Sequence, residues 1–193
     1  AFAARLMPTG SEIPASHATL YRLALGSIGI GVLVLGLKLL AWRLTGSVAL
    51  YSDALESIIN VATAIAAFVA IRVSAMPADD NHPYGHTKAE YLSAVIEGVL
   101  IILAALAILR EAWAGFIAPR PIEAPALGLA ITGLATLVNL AWGTLLIRRG
   151  RRLRSPALAA DGHHLMTDVW TSVGVIAGVA VVALTGWMRL DAV

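Results

Sequence analysis

The chain has 193 residues, of which 59% are hydrophobic and only 13% are charged, and its mean hydropathy is +0.80. This composition is too apolar for an ordinary soluble domain and predicts a membrane protein. The sequence contains no cysteine, which excludes disulfides, thiolate metal ligands and thiol chemistry. The small net charge of +2 gives little support to nucleic-acid binding.

Five apolar segments follow a mixed N-terminal stretch, residues 1–18, which lacks the apolar core of a secretory signal and which we expect to be a flexible lead-in. Each segment is long enough to cross a bilayer as a helix, which takes about 20 residues. Because lipid admits only helices or closed barrels, and strand-like alternation is absent, the segments predict an all-α polytopic membrane protein. The predicted spans are residues 20–44, 48–73, 89–117, 126–147 and 157–187.

The connection between the fourth and fifth segments carries five arginines within residues 148–154. Positive charge concentrates in cytoplasmic connections, so this loop is predicted to be cytoplasmic, and counting spans places residues 74–88 and the N-terminus there too. We therefore expect a multi-pass protein of a bacterial cell (inner) membrane. The alternative, that the arginines bind nucleic acid or an acidic partner, is weaker because a position between two spans favours contact with lipid headgroups.

Residues 47–60 and 155–168 repeat one pattern of small and polar side chains. Both begin with Ser, continue with Ala-Leu at the third and fourth places, and have Asp at the seventh. Both then carry a polar side chain three and seven places after that Asp. An internal repeat of this kind can bring two membrane helices together around one midplane site.

Candidate metal ligands lie at the last two polar positions of each copy. His164 and Asp168 are four residues apart, so on a helix they share one face and can reach one divalent ion. Glu56 and Asn60 occupy the matching positions of the first copy. The alternative is a buried His164–Asp168 pair that merely joins two helices, and the matched Glu56 and Asn60 weaken it.

Other polar residues inside the spans have two interpretations each. Asp53 and Asp161 fit first-turn acids that interact with a helix dipole, or groups that support or lead to the candidate site. Glu97 fits a helix-packing contact somewhat better than a metal or proton relay. Lys38 and Asn139 predict polar contacts between helices.

Four stretches resemble the cation diffusion facilitator family of divalent metal-ion transporters. They are residues 47–60, the loop 79–90 with its His-Pro-Tyr-Gly-His run, residues 94–98, and residues 159–168. The likeness covers about residues 20–193. It implies six spans followed by a small cytoplasmic α+β domain, so this chain corresponds to the first five helices of a six-helix bundle. It also implies efflux of a divalent metal by proton antiport, and a homodimer in membrane lipid.

The resemblance implies a transport site formed by Glu56, Asn60, His164 and Asp168. The fifth-span pair matches the usual His-x-x-x-Asp of the family, whereas the second-span pair usually has Asp or His and then Asp. Asn60 offers only a neutral carbonyl oxygen. The set resembles a site for a hard or borderline divalent ion, namely Zn, Fe(II), Mn, Co or Ni, carried as substrate with no prosthetic group implied.

The resemblance also implies a second metal site in the loop, made by Asp79, His82 and His86. The alternative is a simple turn set by Pro83 and Gly85.

Two rival functions remain open on the residues alone. An intramembrane metalloenzyme would need an open coordination position and a general base, but the sequence contains no His-Glu-x-x-His motif and no nucleophile elbow, so we do not expect an enzyme. A non-transporting metal sensor or partner subunit is favoured by Asn60, which replaces an acid.

Overall fold

The structure is a computed structural model that describes residues 15–79, 82–119 and 121–192. This part of the chain contains no strand, and five of its helices are long and apolar enough to cross a membrane, so the predicted all-α class is confirmed. The helices are α1 (Ala15–Thr45), α2 (Val48–Ser74), α3 (Ala89–Ile117), α4 (Pro125–Leu153) and α5 (Pro156–Thr185), and a short 3₁₀ helix (Met188–Ala192) follows them.

Helix ends differ in places from the apolar segments of the sequence. The predicted lead-in, residues 1–18, lies outside the described residues except where α1 has begun. α4 continues through Arg148–Arg152 to Leu153, since arginine favours helix and its long side chain can extend into the headgroup layer. α5 ends before Gly186, whose φ of 72° is a left-handed conformation that stops the helix.

The two copies of the sequence repeat begin their helices in the same way. Ser47 accepts a hydrogen bond from the backbone N–H of Leu50 at 3.2 Å, and Ser155 accepts one from Leu158 at 3.4 Å. Each hydroxyl also donates to a distant carboxylate, at 2.5 Å from Ser47 to Asp191 and 2.6 Å from Ser155 to Glu90. These caps satisfy N–H groups at the starts of α2 and α5.

α4 and α5 pack backbone against backbone. A Cβ atom added to Gly162 would lie 2.8 Å from the backbone nitrogen of Ile147, and one added to Gly150 would lie 2.8 Å from that of Ala159. Small residues permit this approach, which is a common basis for helix association in membranes. The close packing fixes how α5 presents its polar face to α1 and α2.

The interior has an apolar layer toward each end and a polar layer between them. One apolar cluster joins the start of α1 and α5 to the end of α2 and α4. The second, toward the other end, contains Ala41, Leu50 and Val179. The buried polar residues between them include Lys38, Asp53, Ser57, Asn60, Asn139, His164, Asp168 and Ser172.

Candidate metal centre

The repeat places its polar side chains at the α2–α5 contact. Asn60 (2% exposed), His164 (6%) and Asp168 (0%) are buried, and Glu56 is half-buried. A buried ionisable group in a membrane helix needs a partner or a function. All four predicted ligands are thus buried or half-buried on two helices that pack against each other.

Three carboxylates form the closest group of possible ligands in this layer. Asp53, Glu56 and Asp168 each offer an oxygen atom, and these atoms lie within 4.8 Å of one another. The structure therefore brings together Glu56 and Asp168 of the predicted set and adds Asp53, one turn before Glu56. Carboxylate oxygens at this separation suit a hard divalent cation.

Lys38 of α1 lies among these carboxylates and is completely buried. Its Nζ is 2.8 Å from Asp53 Oδ1 and 2.9 Å from both Oδ1 and Oδ2 of Asp168. It also donates to Ser172 Oγ at 3.0 Å, and that hydroxyl in turn donates to Asp53 Oδ1 at 2.7 Å. The ammonium group thereby compensates two buried negative charges at once.

Two further contacts orient the carboxylates. Asn139 of α4 donates an Nδ2 hydrogen bond to Asp168 Oδ2. The Thr171 hydroxyl donates to Glu56 Oε2 at 3.0 Å. The carboxylate of Asp168 on α5 therefore accepts hydrogen bonds from side chains of α1 and α4, and it connects these three helices.

Asn60 and His164 behave differently from the acids. Both Oδ1 and Nδ2 of Asn60, and Nε2 of His164, are buried and have no hydrogen-bond partner within the described residues. An unpaired buried polar atom costs about 1–3 kcal/mol, so such atoms need an explanation. His164 is not a member of the close carboxylate group, and its role as a ligand stays a prediction.

The predicted polar contacts of Lys38 and Asn139 are confirmed, because they join α1 and α4 to α2 and α5. Sequence reasoning missed that both side chains bind the same carboxylate, that of Asp168. A signal was present in the sequence, since a lysine inside an apolar span requires a negative partner. The sequence did not show which residue that partner is, because Lys38 and Asp168 are far apart along the chain.

A second buried polar group lies toward the end where α4 meets α5. The Ser27 hydroxyl donates to Asp161 Oδ2 at 2.5 Å and accepts a 2.9 Å hydrogen bond from Trp142 Nε1. Asp161 Oδ1 has no partner in the described part of the chain. Glu97 of α3 is also buried.

The loop residues Asp79, His82 and His86 also come together, with their ligand atoms within 4.8 Å of one another. His82 Nδ1 is 3.0 Å from Asp79 Oδ1, and His86 Nε2 is 3.5 Å from Asp79 Oδ2. Gly85, with a φ of 77°, forms part of the turn between the histidines. The predicted turn is therefore present, and it brings the three possible ligands close to one another.

Comparison with known proteins places these features in a family. The profile of the cation efflux transmembrane domain matches residues 24–193. The chain is 52% identical over 165 residues to an uncharacterized transporter of Synechocystis sp., an alignment that covers 86% of this chain and 53% of that protein. It is 30% identical over 171 residues to the cation-efflux pump FieF of Salmonella paratyphi A, and 32% identical over 171 residues to FieF of Cronobacter sakazakii. Both FieF alignments cover 89% of this chain and 57% of the relative, so the chain spans little more than half the length of these proteins.

Proposed function

The chain belongs to the family of the cation efflux transmembrane domain, and on that premise we propose that it forms the pathway by which a divalent metal ion leaves a bacterial cell. The observation that carries the proposal is the meeting of Glu56 and Asp168, from the two copies of the repeat, in a polar layer between two apolar ones. Carboxylates buried inside a membrane bundle are costly, and they commonly mark the path of an ion.

Glu56, Asn60, His164 and Asp168 are the proposed transport ligands. The close approach of Glu56 to Asp168 supports the acidic half of this set. The unpartnered Oδ1 of Asn60 and Nε2 of His164 support the neutral half, because both atoms can donate a lone pair to a metal ion. This mixture of nitrogen and oxygen donors suits Zn, Fe(II), Mn, Co or Ni.

Orientation follows from the arginines at the α4–α5 connection, which include Arg148 and Arg154. With this end of the bundle in the cytoplasm of an inner membrane, the N-terminus and the Asp79–His82–His86 loop are cytoplasmic as well. The loop cluster is then a second metal site on the side from which the ion enters.

Metal/proton antiport is the proposed coupling. Ligands must be deprotonated to bind a metal, so binding releases protons and protonation on the far side helps to expel the ion. His164 is the first candidate for the proton carrier, because imidazole titrates near neutral pH. Rocking of the helices about the polar layer would expose the site to each side in turn.

Metal uptake into proteoliposomes tests this proposal, with adjacent histidines as a matched pair. His164 is buried, whereas His163 is exposed on α5. We expect His164→Ala to abolish uptake of the transported ion and His163→Ala to leave it near the unaltered rate. Full uptake by the His164→Ala protein would remove His164 from the site.

A sensor or partner subunit that binds metal without moving it is the second candidate function. The specific observation in its favour is Asn60, which supplies no negative charge where an acid is expected. Metal binding without uptake by the unaltered protein in proteoliposomes would favour this alternative.

A further inference from the structure

The ammonium group of Lys38 occupies the oxygen-rich space beside the proposed transport ligands. Its Nζ has four oxygen neighbours at 2.8–3.0 Å, contributed by Asp53, Asp168 and Ser172. Such a shell of oxygens resembles the coordination of a bound cation. In this arrangement both carboxylate oxygens of Asp168 are engaged by Lys38, and one of them also accepts from Asn139.

We propose that Lys38 is a tethered cation that competes with the transported metal for Asp168, and so sets the affinity of the site and assists release of the ion. The proposal rests on the proposed function, because it needs Asp168 to be a metal ligand. An ion that takes oxygens from Asp168 must displace the ammonium from at least one of them. Return of the ammonium to Asp168 then replaces the departing metal with a positive charge already attached to the protein.

The remaining partners of Lys38 make this exchange feasible without leaving a bare ammonium in the bundle. Besides Asp168, Asp53 Oδ1 and Ser172 Oγ also accept hydrogen bonds from Nζ. The Ser172 hydroxyl, on α5, in turn donates a hydrogen bond to Asp53. Lys38 can therefore release Asp168 and stay paired with Asp53. Asp53 acts here as a positioning residue that keeps the ammonium within reach.

Formal charges in the layer agree with an exchange. When ionised, the carboxylates of Asp53, Glu56 and Asp168 contribute three negative charges, and the ammonium of Lys38, which is paired with two of them, contributes one positive charge. A divalent ion brings the sum to zero while the ammonium remains in the layer. Because like charges repel strongly in a poorly solvated interior, the ammonium must weaken metal binding relative to a site without it.

Equilibrium metal binding distinguishes a lysine that competes with the metal from a lysine that only stabilises the fold. The chain has only two lysines, so Lys88→Met, at the exposed residue that precedes α3, is a control with the same chemical change. All proteins would carry His82→Ala and His86→Ala, so that the loop does not bind the probe. We expect Lys38→Met to lower the Kd for Zn²⁺ or Co²⁺, measured by titration calorimetry in nanodiscs, on the order of ten- to a hundredfold. Lys88→Met should leave it unchanged.

Transport kinetics give the second readout. In proteoliposomes Lys38→Met should lower both KM and kcat, because the ion binds more tightly and leaves more slowly. A merely structural lysine would raise KM or reduce the amount of folded protein. Equal or weaker Zn²⁺ and Co²⁺ binding by folded Lys38→Met protein overturns the proposal.

A second pair of variants covers the case in which Lys38→Met does not fold. In Asp53→Asn the ammonium of Lys38 keeps only Asp168 as an ionised partner. The double variant, Asp53→Asn with Lys38→Met, removes one charge of each sign. The double variant must bind Zn²⁺ or Co²⁺ more tightly than Asp53→Asn, and equal binding overturns the proposal. Failure of the unaltered protein to bind or move any divalent ion overturns the proposed function and this proposal together. Transport by the unaltered protein without tighter binding by the Lys38 variants overturns this proposal alone.

Discussion

Asn60 is the uncharged oxygen donor of the proposed transport site, and its side chain has no hydrogen-bond partner in the described part of the chain. The amide lies one helical turn after Glu56 on the same side of α2, and it is buried. Its carbonyl oxygen can complete a metal's coordination without adding charge. Affinity for a divalent ion should therefore depend on what occupies this position.

Asn60→Asp should tighten binding of Zn²⁺ by about tenfold or more, because a carboxylate attracts a dication more strongly than an amide does. Without metal, the same variant should unfold more easily, by about 1–3 kcal/mol, since it buries an unpaired charge. Titration calorimetry and thermal unfolding measure the two effects. Asn60→Leu is the opposite control and should weaken binding. If both variants bind Zn²⁺ as the unaltered protein does, Asn60 does not face the ion.

Residue pattern predicted part of this site. The repeat alone indicated that Glu56 and Asp168 share one site, because both copies carry polar side chains three and seven places after their own Asp, and Glu56 and Asp168 each occupy one of these positions. It did not predict Lys38 as the partner of Asp168. That pairing depends on how α1 rotates and packs against α5, and contacts between helices far apart in the chain are not encoded in local spacing.

At the level of the helices, the α4–α5 contact determines where His164 and Asp168 point. Gly162 lies two residues before His164, and a Cβ there would meet the backbone of α4. Helix separation or rotation at this point would move both proposed ligands away from α2. The packing of two glycine-bearing helices is thus a condition for the site.

Gly162→Ala should destabilise the protein by about 1–3 kcal/mol, because the added methyl group overpacks a tight contact with backbone atoms. Gly174→Ala on the same helix is the matched control, since a Cβ at Gly174 has no neighbour within 4 Å. The control should be neutral or stabilising by up to about 1 kcal/mol, because alanine favours helix. Thermal unfolding in one detergent compares the two. Equal melting temperatures would mean that the α4–α5 contact is looser than described.

The sequence predicted the existence of the helices better than their ends. Length and apolarity suffice for existence, and all five predicted spans have a matching helix in the structure. Helix α4 continues to Leu153, beyond the predicted span that ends at residue 147, because the arginines after that residue extend the helix instead of forming a loop. Polar residues continue a helix readily once it leaves the hydrocarbon layer, so hydropathy marks the membrane boundary rather than the last helical residue.

At the scale of the whole molecule, the described residues form five helices long and apolar enough to cross a membrane. The chain spans little more than half the length of the relatives it matches. The family resemblance implies a sixth span, a cytoplasmic domain and a homodimer, and these stay predictions. The polar layer lies inside the described bundle itself, between α1, α2, α4 and α5. The four residues of the proposed transport site therefore all come from two helices of one copy, α2 and α5.

Metal-driven proton movement is the decisive test of the proposed transport. The protein would be reconstituted into vesicles that contain a pH-sensitive dye, and Zn, Fe(II), Mn, Co and Ni would be added outside in turn. Antiport predicts that the interior becomes more alkaline as the transported ion enters, because protons leave in exchange, and that Asp168→Asn abolishes the change. Metal uptake without a pH change would contradict antiport. No uptake of any of these ions would contradict the claim that this domain is a transport pathway.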